Sequence, residues 1–141
     1  MTAVVVPIEE GRDPSAALAQ VFELARKEPT LVHLVNVRTP LPSYVSRFIP
    51  NEDRDAFHHE NGMKALRPAI DRLDAAGIAH REHVMVGNKA ETIVDFARVQ
   101  RCPIVLGKPE GMIEGLRLGS LRAQIRSLVR PDDTCKVYEP A

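Results

Sequence analysis

Several chemically informative residue types are scarce in this sequence. Its 141 residues include two cysteines, no tryptophan and 4% aromatic residues, and its acidic and basic side chains balance to a formal net charge of zero. Cys102 and Cys135 cannot build a disulfide framework, and their spacing matches no zinc motif. A balanced charge excludes bulk electrostatic attraction to nucleic acid or to an anionic membrane. Because no apolar run approaches membrane-spanning length and no secretory leader is recognisable, we expect a cytoplasmic protein without nucleic-acid or membrane partners.

Catalytic and metal-binding constellations are absent as well. His58 and His59 are adjacent, so on a helix they point about 100° apart, while His80 and His83 fall on opposite faces of a strand. The sequence contains no Gly-x-Ser-x-Gly elbow, no Walker A loop and no Rossmann fingerprint. We therefore expect no catalytic residues and no metal site, and we expect both cysteines to be buried as small apolar side chains.

The residues that are present indicate one globular domain spanning 1–141. A hydrophobic fraction of 44% and a charged fraction of 27% are ordinary for a soluble domain. A chain of this length can bury one sizeable core. Apolar and β-branched runs predict five strands, at 3–8, 31–37, 78–86, 103–106 and 134–138.

Four helices are predicted between the strands, and local signals mark their ends. Asp13 and Pro14 form a helix start, and Asn88 and Glu91 have capping-box spacing. The polar stretch at 51–76 is interrupted by Pro68, which predicts a kink or two consecutive helices. The preceding residues, 39–50, contain three prolines and predict an irregular excursion. Regular alternation of strand and helix predicts a doubly wound parallel sheet with helices on both faces.

A glycine-rich segment, residues 107–120, is the principal candidate for a binding site. It holds four of the eight glycines and joins the fourth predicted strand to the last helix, which begins at Ser120. In such folds ligands bind beyond the carboxyl ends of the strands. Backbone amides at glycines and at a helix start attract anions, and four basic side chains lie nearby, so phosphate is the expected ligand. These are Lys108, Arg117, Arg122 and Arg126. The alternative is a flexible connection whose glycines only make turns.

Four segments, taken in order, resemble the universal stress protein family. VVVPIEEG at 4–11 is similar to the family's opening strand, which usually ends Val-Pro-hydrophobic-Asp-Gly-Ser. LVHLVNV at 31–37 resembles its second strand, and GNKAETIV at 87–94 resembles its Gly-Asp-Pro-Ala-x-x-Ile turn into a helix. IVLG at 104–107, continuing to Gly119 and Ser120, resembles the fourth strand and nucleotide loop.

The resemblance implies a three-layer, adenine nucleotide alpha hydrolase-like fold whose five-stranded sheet has the order 3-2-1-4-5. It also implies a homodimer paired through the last strand, residues 134–138. Many family members bind ATP through the pattern Gly-x2-Gly-x9-Gly-Ser/Thr. For this chain the resemblance implies ATP, together with Mg, as the cofactor. Carried onto this chain, the adenine contacts would be Pro7, Ile8, Glu9 and Val37. The phosphate contacts would be Gly107, Lys108, Gly111, Gly119 and Ser120.

The chain departs from the family pattern at both ends of this pocket. The first glycine interval, from Gly107 to Gly111, is one residue longer, and the second, from Gly111 to Gly119, is two residues shorter. Glu9 replaces the usual aspartate. Three functions therefore stay open: a non-catalytic stress-response protein that binds an ATP-type nucleotide, a dimeric interaction module that no longer binds nucleotide, and a slow nucleotide-handling enzyme.

Overall fold

The computed structural model describes residues 2–107 and 121–138, which form a parallel sheet with helices on both faces. Its strands are β1 (Thr2–Pro7), β2 (Thr30–Arg38), β3 (Ala79–Val86), β4 (Ile104–Val105) and β5 (Val137–Tyr138). Its helices are α1 (Ser15–Lys27), α2 (Ser43–Ser46), α3 (Asn51–Ala75), α4 (Lys89–Gln100) and α5 (Leu121–Leu128). The strand order is β3-β2-β1-β4-β5 and every pairing is parallel, which confirms the predicted fold.

The sheet separates two apolar cores, because successive side chains of a strand point to opposite faces. Val4 and Val6 of β1 pack with residues of α1 and α3, whereas Val5 packs with residues of α4 and α5. All three valines are fully buried. This two-sided burial explains why β1 and β2 are mostly apolar, and why β3, at the edge of the sheet, is more polar.

Helix α3 is one continuous helix, so of the two predicted alternatives, a kink or two consecutive helices, the second is wrong. Its 25 residues run through the proline without a break. Buried side chains contact the sheet on both sides of the proline, at Leu66, Ala69, Ile70 and Leu73. Burying an aliphatic side chain of this size contributes roughly 1.5–3 kcal/mol, so several together outweigh the ~3 kcal/mol cost of an internal proline.

The predicted start of α4 is confirmed, whereas that of α1 is wrong by one residue, because Pro14, which makes no side-chain capping bond, is the N-cap rather than Asp13. Asp13 Oδ1 accepts a hydrogen bond from the backbone N–H of Ser15 at 3.0 Å, although α1 itself begins at Ser15. Asn88 Oδ1 accepts one from the N–H of Glu91 at 3.1 Å and caps α4. These bonds satisfy amides that have no partner within their own helix.

The last strand is shorter than predicted. Residues 137–138 pair with β4, but Thr134 and Cys135 lie in a bend. The Thr134 N–H donates to Asp133 Oδ1, and its hydroxyl lies 3.5 Å from the carbonyl oxygen of Arg98 in α4. At Thr134, bonds that involve side chains therefore take the place of backbone pairing between β4 and β5. The proline-rich excursion at 39–50 also differs from the prediction, because it contains the short helix α2.

None of the described helices is long and apolar enough to cross a membrane.

Candidate functional site

The carboxyl ends of β1 and β2 enclose a small cavity, hereafter the rim cavity. It brings together four residues predicted from sequence: Pro7, Ile8, Glu9 and Val37. Its other lining residues are Val35, Asn36, Lys89, Ile93 and Leu121. Its volume is about 10 Å³, room for about one water molecule.

Backbone pairing explains why these residues meet. Pro7 lies opposite Val35 in the parallel register of β1 and β2, and the Ile8 N–H donates to the Val35 carbonyl oxygen at 2.8 Å. Asn36 strengthens this junction, because its Nδ2 donates to the Ile8 carbonyl oxygen at 2.8 Å. The β1 end is therefore bonded to β2 beyond the last residue of the strand.

Asn36 is a residue that the sequence reasoning missed. It is only 3% exposed, and its Oδ1 has no protein partner among the described residues. A buried polar group without a partner costs free energy, and such groups usually bond to water or to a ligand. An asparagine inside a mostly apolar, buried strand was the available signal.

Charged side chains surround the outer edge of the rim cavity. Glu9 lies between two cations: its Oε2 is 3.3 Å from Arg12 Nε, and its Oε1 is 4.0 Å from Lys89 Nζ. Nearby, Arg38 at the end of β2 pairs with Glu10 at 3.1 Å. The carboxylate that replaces the family's aspartate therefore has basic neighbours from two different elements.

Gly107 follows β4 and packs tightly against the first turn of α1. A β-carbon added at Gly107 would lie 3.3 Å from the backbone nitrogen of Ala17 and 3.4 Å from the β-carbon of Ala16. The preceding residue, Leu106, is bound to α1 as well, since its carbonyl oxygen accepts from Gln20 Nε2 at 2.5 Å. Gly107 thus allows close contact between β4 and α1. The other predicted phosphate contacts, Lys108, Gly111, Gly119 and Ser120, lie outside the described residues.

The sequence matches a known protein family. The sequence profile described as the universal stress protein family matches residues 1–127. The chain belongs to that family. Comparison with curated proteins gave no match.

Solved universal stress proteins share the fold at low sequence identity. UspA from Lactobacillus plantarum is 18% identical, with a TM-score of 0.71 over 99% of this chain and 97% of that one. An Arabidopsis thaliana family protein with AMP bound is 15% identical, with a TM-score of 0.67 over 99% and 90%. A universal stress protein in complex with cyclic AMP is 22% identical, with a TM-score of 0.70 over 99% and 97%. At such identities the likeness shows the fold alone.

Three histidines of this universal stress protein, in β2 and β3, contact neighbouring side chains on the two faces of the sheet. His33 of β2 and His83 of β3 share a hydrogen bond of 2.9 Å between Nδ1 and Nε2, and both rings pack against Phe96 of α4. Burial lowers the pKa of both imidazoles. His80 lies in the other layer, where its Nε2 is 2.6 Å from Asp74 Oδ1. Burial lowers the pKa of His80, but the hydrogen bond to Asp74 and the charge of Glu82 outweigh this effect and raise it.

Neither cysteine forms a disulfide bond. Cys102 and Cys135 are both buried, as predicted, and burial raises the pKa of each thiol. In residues 2–107 and 121–138, no three side chains of the usual metal-ligating types converge on one point.

Proposed function

We propose that this universal stress protein is a non-catalytic, cytoplasmic stress-response regulator that binds an ATP-type nucleotide at the carboxyl ends of β1 and β4. The observation that carries the proposal is the convergence of Pro7, Ile8, Glu9 and Val37 on one cavity. Ligands of doubly wound sheets bind at this edge. The AMP and cyclic AMP complexes of two proteins with this fold support an adenine nucleotide as the ligand class.

In this proposal the cavity takes the base and the glycine-rich segment takes the phosphates. Adenine contacts the apolar wall of Pro7, Ile8 and Val37, beside Glu9. The backbone amides of Gly107, Gly111, Gly119 and Ser120, together with Lys108, receive the phosphates and an accompanying Mg ion. A segment rich in amides at a helix start has the electrostatics that phosphate requires.

A second candidate is an interaction module that no longer binds nucleotide. The small volume of the rim cavity, about 10 Å³, favours it, as does a carboxylate at its edge. A nucleotide could enter only if the lining side chains moved. A slow nucleotide-handling enzyme would in addition need a nucleophile or an acid–base pair; the ionisable side chains that line the cavity are Glu9 and Lys89, which pair with each other at 4.0 Å.

Thermal-shift titration with Mg-ATP, AMP and cyclic AMP tests the first candidate against the second. We expect a rise in the unfolding midpoint with the wild-type chain, since a ligand that binds only the folded state stabilises it. Val37→Glu should abolish the rise, whereas Val99→Glu, at a position of α4 that is 78% exposed, should retain it. No shift at millimolar concentrations of any of the three nucleotides would rule out the nucleotide pocket. Phosphate release by the purified protein would instead support the enzyme.

A further inference from the structure

Lys89 lines the rim cavity, although no sequence motif marks it as a ligand contact. It is the first residue of α4, and the Asn88 cap fixes the direction of that helix start. Its Nζ reaches to within 4.0 Å of Glu9 Oε1, so an ion pair connects α4 with the end of β1 across the cavity edge. Both side chains are partly exposed to solvent, which leaves the pair able to open.

The charge at this edge depends on Lys89. Glu10 is paired with Arg38 at 3.1 Å. Glu9 lies between Arg12, at 3.3 Å, and Lys89, at 4.0 Å. Replacing Lys89 with an uncharged residue would leave Glu9 with one cation fewer to offset its repulsion of an anion.

We propose that Lys89 is a specificity residue that makes the rim cavity prefer phosphorylated over unphosphorylated adenosine. On ligand binding, its ammonium exchanges the Glu9 carboxylate for the phosphate nearest the nucleoside, a contact additional to those proposed for the glycine-rich segment. A lysine suits this exchange because its compact charge sits on a flexible four-carbon stem. The inference rests on the proposed nucleotide function and adds to it a preference for the charge of the ligand.

Isothermal titration with adenosine, AMP and ATP tests the inference. Lys89→Met keeps the length of the side chain and removes its charge. We expect it to weaken AMP and ATP binding about fivefold, which corresponds to one exposed charge pair, and to leave adenosine binding unchanged. Glu9→Gln should strengthen AMP and ATP binding, because it removes a repulsive charge. Lys89→Arg should retain the preference of the wild-type chain.

Lys64→Met is the matched control. Lys64 pairs with Glu60 on the exposed face of α3, at 3.6 Å, so its loss removes an equal charge away from the cavity. It should leave all three affinities unchanged, and far-UV circular dichroism should show that every variant is folded.

The outcomes separate this inference from the function on which it rests. If the wild-type chain binds none of the three compounds, the proposed function and the inference both fall. If the wild-type chain binds AMP or ATP and Lys89→Met binds them equally well, only the role of Lys89 is overturned. An equal loss for adenosine, AMP and ATP would also overturn it, because Lys89 would then shape the cavity rather than select charge.

Discussion

Arg98 of α4 holds the Asp133 carboxylate with two of its nitrogens. Arg98 Nε lies 3.1 Å from both carboxylate oxygens, and its Nη2 lies 2.9 Å from Oδ2. The same Nη2 donates to the carbonyl oxygen of Leu128 at 2.7 Å, at the end of α5. The hydrogen bonds that Arg98 donates to the carboxylate lower the pKa of Asp133 well below its usual range. One arginine therefore links α4, the end of α5 and the approach to β5.

Asp133→Asn should destabilise the fold more than a change of one surface charge would. Asparagine can accept only part of the bonding that Arg98 offers, and it removes the charge that the guanidinium faces. We expect a lower urea midpoint than that of the wild-type chain, with Asp132→Asn as the matched control on the adjacent, more exposed residue. The wild-type advantage should be present above about pH 4 and should disappear as the pH falls and Asp133 becomes protonated. Equal midpoints for the two variants at neutral pH would contradict the role assigned to this contact.

Gly62 is expected to resist substitution, even though glycine is a poor helix former. It lies in the interior of α3, where Gly→Ala would ordinarily stabilise a helix by about 1 kcal/mol. A β-carbon there would lie 2.7 Å from Val84 Cγ2 of β3, closer than van der Waals contact allows. Gly62→Ala should therefore destabilise the protein, by roughly 1–3 kcal/mol in denaturant unfolding.

Val84→Ala removes the methyl groups that a new β-carbon would meet, so it provides the control for this substitution. In the double variant the two changes compensate in volume, and its loss of stability should be smaller than the sum of the single losses. Additive losses would show that helix–strand contact is not what requires glycine at 62.

The histidines should give the stability a pH dependence of two opposite signs. Burial lowers the pKa of His33 and His83, so the unfolded chain binds protons more readily and stability falls as the pH drops below 6.5. Arg81 lowers both values further, whereas Glu82 raises that of His83.

The pKa of His80 is raised, so its contribution has the opposite pH dependence. That contribution is complete below pH 6.5 and is lost as the pH rises through the folded pKa. His80→Gln should thus cost more stability at about pH 5 than at about pH 8, and His83→Phe should reduce the loss of stability on acidification. Urea midpoints at the two pH values measure both effects, and parallel pH profiles for wild type and His80→Gln would disprove the assignment for His80.

Local sequence patterns predicted most of the helices and strands, because the burial of a strand and the capping of a helix are both recorded in the types of residues that follow one another along the chain. The apolar runs of β1 and β2 reflect burial on both faces, and the Asn88 cap depends on an amide only three residues away. The strand order came instead from the family resemblance. The length of β5 was mispredicted because Thr134 bonds to groups of Asp133 and Arg98, and the partner in α4 lies far along the chain.

The candidate site was predictable only in part: the topology predicted which edge of the sheet would carry it, and the family resemblance supplied the individual residues. Pro7, Ile8, Glu9 and Val37 meet because the ends of neighbouring parallel strands lie at one edge of the sheet. Lys89 belongs to α4. The direction in which this helix approaches the edge depends on how it packs against the sheet, and no local sequence pattern carries that information. Asn36 was visible in the sequence as a polar residue in a buried strand, but its bond to Ile8 required the register of β1 and β2.

The outer edge of β5 offers a test of the homodimer that we propose from the family resemblance. Ile104 and Leu106 donate their N–H groups to the carbonyl oxygens of Lys136 and Tyr138, so these two residues of the last strand face β4. In a parallel ladder the intervening residue, Val137, directs its own N–H and carbonyl away from β4. The described part of the sheet has no strand beyond β5, so this edge is available for pairing with a second copy of the chain.

Val137→Pro removes the outward N–H without removing a hydrogen bond to β4, and it should shift a dimer toward monomer in sedimentation velocity. Val137→Ala is the matched control, because it loses similar packing against the core and keeps the N–H. If the alanine variant dissociates as readily as the proline variant, packing rather than edge pairing holds the dimer together. A wild-type chain that sediments as a monomer at all concentrations would remove the dimer itself. A dimer that survives Val137→Pro would place the interface elsewhere, since a strand pair cannot form symmetrically when its central donor is missing from both copies.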